Sequence, residues 1–183
     1  MRAARFIFWS SVAVLVWTYV LFPAVTLLRA RVRPMAIMRR SVRPSISVLI
    51  AAHNEAPMIA GKLRSILEDG YPGDRLQIVV ASDGSTDGTV AAARAFESEG
   101  VRVLDLPRMG KNAAIDAGAA ACEGDVVVIS DADSALRPGS LTAIAECFGD
   151  AGVGAVTGDY RYESEPSRNA GQFAYWNIER RLR

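Results

Sequence analysis

Three strand-like apolar runs in the chain are each followed at once by polar side chains. These side chains belong to Asn54, Glu55, Asp83, Asp131 and Asp133. In open parallel sheets, ligands bind in the crevice beyond the carboxyl ends of the strands. Four acids at one sheet edge repel each other unless a cation or a polar ligand lies among them. The pattern therefore predicts a ligand-binding crevice, although Asp83 or Asp87 taken alone could also cap a helix.

The pair Asp131 and Asp133 is the part of this pattern best suited to bind a metal ion. The residues are two positions apart, so an extended backbone turns both side chains to the same face. Two carboxylates on one face supply part of the oxygen shell of a hard cation such as Mg²⁺ or Mn²⁺, which keeps positions open for water and phosphate oxygens. The chain has one histidine, His53, which excludes a multi-histidine zinc site.

A glycine and a lysine, Gly110 and Lys111, open a predicted helix between the third and fourth strands. The free N–H groups and partial positive charge of a helix N-terminus favour phosphate, and Lys111 adds a cation. The segment is not a P-loop, because position 105 is Asp105 rather than glycine, and no GxGxxG follows a strand. A solvated loop lysine is the alternative interpretation of Lys111.

Strand and helix patterns alternate from residue 45 onward and would position these side chains. Strand patterns occupy 46–52, 76–82, 101–106 and 125–130, and a fifth begins at 153–157. Helical patterns occupy 57–68, 89–99, 112–122, 141–148 and 172–183. Such alternation, with nearly continuous apolar strands, predicts an α/β fold with a mostly parallel sheet and helices on both faces.

The first 44 residues have a different character from the rest. Residues 6–28 are an uncharged run of 23 residues, which at ~1.5 Å per residue spans a ~30 Å hydrocarbon core. Six arginines follow this run and two precede it, a bias that places the C-terminal side in the cytoplasm. A cleaved signal peptide is disfavoured because the apolar region of such peptides is shorter than this run. We predict one transmembrane anchor over 1–28 and a basic juxtamembrane linker over 29–44 along anionic lipid headgroups.

Charge also divides the chain at Arg43. All 20 acidic residues lie after it, whereas 8 of the 21 basic residues lie at or before it. The later part therefore has 13 basic and 20 acidic residues and a net charge of −7. An acidic domain repels phosphate backbones, which argues against a nucleic-acid partner. The two cysteines, Cys122 and Cys147, have no CxxC spacing and are expected to be buried apolar residues.

Taken together, these segments resemble glycosyltransferase family 2, whose members have the GT-A type fold with a Rossmann-like nucleotide-sugar-binding half. The likeness rests on residues 47–55, 80–89, 110–118 and 131–133. Residues 153–158 and 175–176, with Glu179, resemble the membrane-embedded, chain-extending branch of the family. His53 stands where the family usually has a tyrosine.

The resemblance implies a donor site and a divalent cation. It assigns nucleotide-sugar binding to Ala52, Asn54, Glu55, Asp83, Lys111 and Asp131. Asp83 would contact the nucleoside. Asp131 would support the ribose or the metal, and Asp133 would ligate the Mg²⁺ or Mn²⁺ that holds the diphosphate. The expected donor is a nucleoside-diphosphate sugar, in particular a UDP-sugar, and the expected acceptor is a saccharide or a lipid-linked molecule.

The implied activity is sugar transfer in polysaccharide or cell-envelope synthesis. One alternative is transfer to a polyprenyl phosphate, and another is a non-catalytic nucleotide-binding fragment. A phosphotransferase with an aspartyl nucleophile fits only the spacing of Asp131 and Asp133. The general base of the family lies downstream of the segment at 175–176 and is expected downstream of Arg183, so no catalytic residue is identified in the chain. Residues 45–183 are thus expected to be a truncated, donor-binding half of a glycosyltransferase domain that does not turn over alone.

Overall fold

A computed structural model describes residues 2–33 and 37–159. The chain divides into two compact units, and the second of them, Met38–Val156, contains the sheet. The predicted helix at 172–183 and the segment at 175–176 with Glu179 lie outside the described residues.

The N-terminal residues form one long helix with a local change of winding. Helix α1 covers Arg2–Val16, a π-helical turn covers Trp17–Leu21, and helix α2 covers Phe22–Val32. Pro23 lies in the first turn of α2, where the missing N–H is tolerated, and the π-helical turn precedes it. The helix as a whole has 31 residues and contains an 18-residue stretch with a mean hydropathy of 2.0, so its length and composition suffice to cross a membrane. It extends beyond the predicted apolar run at both ends.

The second unit contains four strands and four α-helices. The strands are β1 (Ile46–Ala52), β2 (Leu76–Asp83), β3 (Val101–Leu106) and β4 (Val126–Asp131). The α-helices are α3 (Ala56–Leu67), α4 (Thr89–Arg94), α5 (Lys111–Ala119) and α6 (Ser140–Cys147), with short 3₁₀ turns at Gly73–Arg75 and Glu97–Glu99. The strand order is β3-β2-β1-β4, and every pairing is parallel. The predicted parallel sheet is therefore confirmed.

Helices cover both faces of the sheet, as predicted. Side chains of alternate strand residues point to opposite faces, so Val48 and Ile50 pack with α3, α4 and α6, whereas Leu49 packs with α5. Helix α5 lies very close to the sheet at Gly118, where an added Cβ would come within 2.3 Å of the Leu49 side chain. This close contact holds the last turn of α5 against the sheet.

The described residues contain no fifth strand, so the strand prediction at 153–157 is wrong. The segment has the β-branched composition of a strand, but it forms no backbone ladder, and a strand requires a partner for its N–H and C=O groups. Two helices are also shorter than predicted. Helix α4 gives way to the 3₁₀ turn, which ends at Gly100 with a φ of +89°, and α5 ends at Ala119 rather than at residue 122.

The described end of the basic linker is bound to the α/β unit. The Met38 N–H donates to the Asp150 carboxylate at 3.0 Å, and the Tyr71 hydroxyl donates to the Pro44 carbonyl at 2.6 Å. The Arg40 N–H donates to a backbone carbonyl at the end of α6. Residues 38–44 therefore form an ordered lead into β1, although the sequence suggests only a linker.

Candidate donor site

A cleft of about 260 Å³ opens beyond the carboxyl ends of β1, β2 and β4. Six of the seven predicted site residues line it: Ala52, Glu55, Asp83, Lys111, Asp131 and Asp133. Parallel strands end at the same edge of the sheet, which is why residues far apart in sequence meet there. The expected crevice is therefore present in the fold.

Asp83 is the most buried carboxylate of the cleft, with 3% of its surface exposed. Its Oδ1 accepts the backbone N–H groups of Met109 at 2.6 Å and Gly110 at 2.8 Å, and Arg108 Nε lies 3.6 Å from Oδ2. These partners, the Met109 N–H foremost, lower the pKa of Asp83 although burial opposes them. Asp83 thus fixes the segment that leads into α5.

Gly84 allows this segment to approach the end of β2. Its φ is +60°, a conformation that L side chains rarely adopt. An added Cβ would lie 2.6 Å from the Arg108 backbone nitrogen. The glycine therefore permits the close contact on which the hydrogen bonds of Asp83 depend.

Asn54 is the predicted site residue that does not line the cleft. It has a φ of +55°, and its Oδ1 accepts the Thr86 N–H at 2.9 Å. Asp87, in the same turn, accepts the Thr89 N–H at 2.9 Å and the Ala56 N–H at 3.2 Å. Asp87 therefore caps the starts of α4 and α3, and Asn54 stabilises the turn that leads from β2 into α4.

Asp131 and Asp133 both line the cleft, as predicted, but not because their backbone is extended. Strand β4 ends at Asp131 and the next two residues form a turn, so the argument from extended backbone is wrong. Ala132 is 4% exposed and packs into the core, which leaves Asp131 and Asp133 pointing outward on either side of it. The Ser134 hydroxyl closes the turn by donating to the Asp131 carbonyl at 2.9 Å.

Two lysines approach this turn from opposite faces of the sheet. Lys111, on the α5 face, lies 2.6 Å from Asp131 Oδ1. Lys62, on the α3 face, is 2% exposed, and its ammonium donates to Ser130 at 2.6 Å and to Ser134 at 3.2 Å. Burial lowers the pKa of Lys62 to about 8, and the charges of Asp131 and Asp133 oppose that shift.

Sequence reasoning missed three residues at this site: Arg108 and His53, which line the cleft, and Lys62 behind it. The His53 Nδ1–H donates to the Asp83 carbonyl at 2.7 Å, which fixes the ring at the cleft wall. A signal for Lys62 was present, because it falls between Ile59 and Leu63 in the apolar stripe of α3. A lysine in a buried stripe needs a polar partner, and that partner lies on another element.

The geometry fits a divalent cation bound together with phosphate oxygens. In the described part of the chain, no three His, Cys, Asp or Glu side chains form a cluster that holds a metal alone. Mg²⁺ and Mn²⁺ need less from the protein, because one or two carboxylates suffice when a substrate phosphate supplies further oxygens. Asp131 and Asp133 are exposed at the cleft, and Asp131 already accepts a cationic group from Lys111.

A parallel α/β sheet with carboxylates and a helix N-terminus at one strand-end cleft defines the class of nucleotide-binding α/β proteins. The chain matches Glycosyl transferase family 2 over residues 47–181 and belongs to that family. The predicted family, the GT-A type fold and the glycosyltransferase class are confirmed by this match and by the structural likeness.

Relatives and a solved structure support this assignment. The chain is 33% identical over 129 residues to the probable glycosyltransferase YdaM of Bacillus subtilis, covering 64% of this chain and 30% of that protein. It is 28% identical over 160 residues to the beta-monoglucosyldiacylglycerol synthase of Trichormus variabilis, covering 84% and 34%. The chain thus spans about a third of the length of these curated relatives.

The solved structure is the mannosyltransferase PcManGT of Pyrobaculum calidifontis in complex with GDP-Man and Mn²⁺. It superposes with a TM-score of 0.71 at 28% identity, and the match covers 91% of this chain and 48% of that one.

Proposed function

We propose that the cleft binds a nucleoside-diphosphate sugar with a divalent cation, and that the whole protein transfers the sugar to a saccharide or lipid-linked acceptor. The observation that carries this proposal is the exposed Asp131 and Asp133 pair in the same cleft as the buried Asp83. The pair suits a cation and a diphosphate, and Asp83 lies at the end of a different strand, where the nucleoside would extend. The Mn²⁺ and GDP-Man of PcManGT support the same assignment.

Each group in the cleft has a distinct task in this proposal. Asp131 and Asp133 hold Mg²⁺ or Mn²⁺, which supplies positive charge against the nucleoside diphosphate as it leaves. Lys111 and the N-terminus of α5 face the phosphates, and Arg108 lies beside them at the cleft wall. Ala52, Glu55 and Asp83 form the nucleoside end, with Asn54 holding the adjoining turn. The attacking acceptor hydroxyl requires a general base, and we assign that task to none of the cleft residues.

A panel of nucleotides tests the donor class. We expect the full chain in detergent to melt at a higher temperature with Mn²⁺ and one of UDP or GDP, because a ligand that binds only the folded state stabilises it. At a nucleotide concentration 100 times the Kd, the stabilisation is about 2.7 kcal/mol. We expect UDP and UDP-sugars to give the larger shift, with UMP and GMP as the matched controls that lack only the β-phosphate. Equal shifts with EDTA in place of Mn²⁺ would contradict the role of the metal.

We further propose that α1 and α2 anchor the protein in a membrane with the α/β unit on the cytoplasmic side. The apolar helix of 31 residues and the arginines that follow its apolar run support this orientation. We expect protease added to intact cells to leave the α/β unit uncut, and to digest it once the cells are permeabilised. Digestion in intact cells would contradict the orientation, and a soluble, processed protein lacking residues 1–28 would contradict the anchor.

A further inference from the structure

The chain places both of its lysines against one short turn. It has 21 basic residues, of which 19 are arginines and two are lysines. Lys111 contacts Asp131 itself, whereas Lys62 contacts the two serines that flank the Asp131–Asp133 segment. Lysine differs from arginine in having a compact ammonium with three donors, which fits between two hydroxyl groups where a planar guanidinium does not.

Burying the Lys62 ammonium has a large desolvation cost. Its side chain lies in the apolar stripe of α3 and is 2% exposed, so its ammonium has lost nearly all of its hydration. Replacing a buried charged group and its partners by apolar residues is often neutral or stabilising for the fold. Here the partners are two hydroxyl groups that also lie within hydrogen-bonding distance of each other, at 3.3 Å. A purely structural role therefore gives no strong reason for a cation here, whereas a role toward the neighbouring carboxylates does.

The hydrogen bonds of Lys62 lead directly to the metal-binding segment. Ser130 and Ser134 lie 3.3 Å apart, oxygen to oxygen, and the ammonium bridges them. Ser134 in turn donates to the Asp131 carbonyl, which closes the turn. Between the two serines, buried Ala132 holds the backbone inward and Asp133 points outward. Lys62 thus ties the two ends of the turn together beneath the carboxylates.

We propose that Lys62 is a positioning residue that holds the Asp131–Asp133 turn in the arrangement that binds the cation and the diphosphate. This inference rests on the proposed function of the cleft, because it concerns the same two carboxylates. Lys62 acts through Ser130 and Ser134 and does not itself contact the ligand.

The substitution Lys62→Met separates positioning from a purely structural role. Methionine has a similar length and suits a buried helix face, and Ser130 and Ser134 can then hydrogen-bond to each other. We therefore expect the melting temperature without ligand to stay within a few degrees of the native value. We expect the apparent affinity for Mn²⁺, in the presence of whichever of UDP or GDP binds the native chain, to fall about tenfold, as for other residues that orient metal ligands. The free Mn²⁺ signal in electron paramagnetic resonance measures it directly.

The direction of this effect makes the test decisive. At a nucleotide concentration that saturates both proteins, removing a positive charge beside the cation site would by itself strengthen Mn²⁺ binding, so a weaker Mn²⁺ affinity under that condition indicates a loss of turn geometry. The matched control is Arg64→Met, which removes an exposed cation from the same helix and should leave Mn²⁺ binding unchanged. Unchanged or tighter Mn²⁺ binding in Lys62→Met would overturn the inference.

A second variant covers the case in which Lys62→Met does not fold. Ser130→Ala removes one arm of the bridge and keeps the hydrogen bond from Ser134 to the Asp131 carbonyl, so it should lower the Mn²⁺ affinity by a smaller factor. Native affinity in this variant would refute positioning. If the native chain binds no Mn²⁺ with either nucleotide, the proposed function fails and this inference fails with it. If the native chain binds Mn²⁺ and a nucleotide, and the variants bind Mn²⁺ with the native affinity, the inference alone fails.

Discussion

The variant Asp133→Ala is expected to lose Mn²⁺-dependent binding of nucleoside diphosphate by about 100-fold or more. Changing the partners of a metal ligand already costs about 10–100-fold in affinity, and this change removes a proposed ligand itself. Asp131 cannot compensate, because one of its oxygens is engaged by Lys111 at 2.6 Å. Titration calorimetry with UDP and GDP, with and without Mn²⁺, measures the loss.

The stability of this variant should be nearly that of the native chain. Asp133 is exposed, and exposed substitutions usually change the free energy of unfolding by less than about 0.5 kcal/mol. Asp116→Ala is the matched control, since it removes an exposed carboxylate from α5 outside the cleft. Equal affinity of the native chain and Asp133→Ala in Mn²⁺ would show that Asp133 is not a ligand.

For Asp83→Ala we expect a different pattern of loss. The change releases the Met109 and Gly110 N–H groups and removes the proposed nucleoside contact. The affinity for UDP or GDP should therefore fall at least about tenfold, which is the low end of the range for losing one hydrogen bond to a charged group. Binding of Mn²⁺ with inorganic pyrophosphate, which has no nucleoside, should fall much less. Asp133→Ala should weaken both ligands.

Acid sensitivity provides a second readout of Asp83. Its pKa in the folded state lies below the ordinary value of 3.8, so the ionised carboxylate stabilises the fold above that pH. This stabilisation is lost as the pH falls from 3.8 through the folded-state pKa. Asp83→Asn should therefore melt at a lower temperature than the native chain at pH 6, and the difference should shrink in acid.

Circular dichroism of both Asp83 variants keeps the two roles apart. A folded variant with weakened nucleotide binding supports the site role. An unfolded variant would show that Asp83 acts mainly by holding the segment before α5. Equal loss of pyrophosphate and nucleotide binding in a folded variant would argue against a nucleoside contact.

The amino-acid sequence by itself determined the elements of the fold. Strands at 46–52 and 101–106 were predicted with their observed bounds, because apolar, β-branched runs bounded by turn residues are a local signal. The parallel order followed from the alternation of strands and helices. The gathering of Asp83, Asp131 and Asp133 at one cleft followed in turn, since parallel strands end at the same edge.

Only the tertiary structure decided which partner each polar group has. Asp83 meets Met109, 26 residues away, and Lys62 meets Ser130, 68 residues away. Such pairs depend on how elements pack and leave no periodic trace in the sequence. The same reason explains two incorrect sequence arguments, the extended backbone at Asp131 and Asp133 and the fifth strand at 153–157. Asp131 and Asp133 face one cleft because Ala132 is drawn into the core, and residues 153–157 form no strand because strand formation requires a neighbouring backbone.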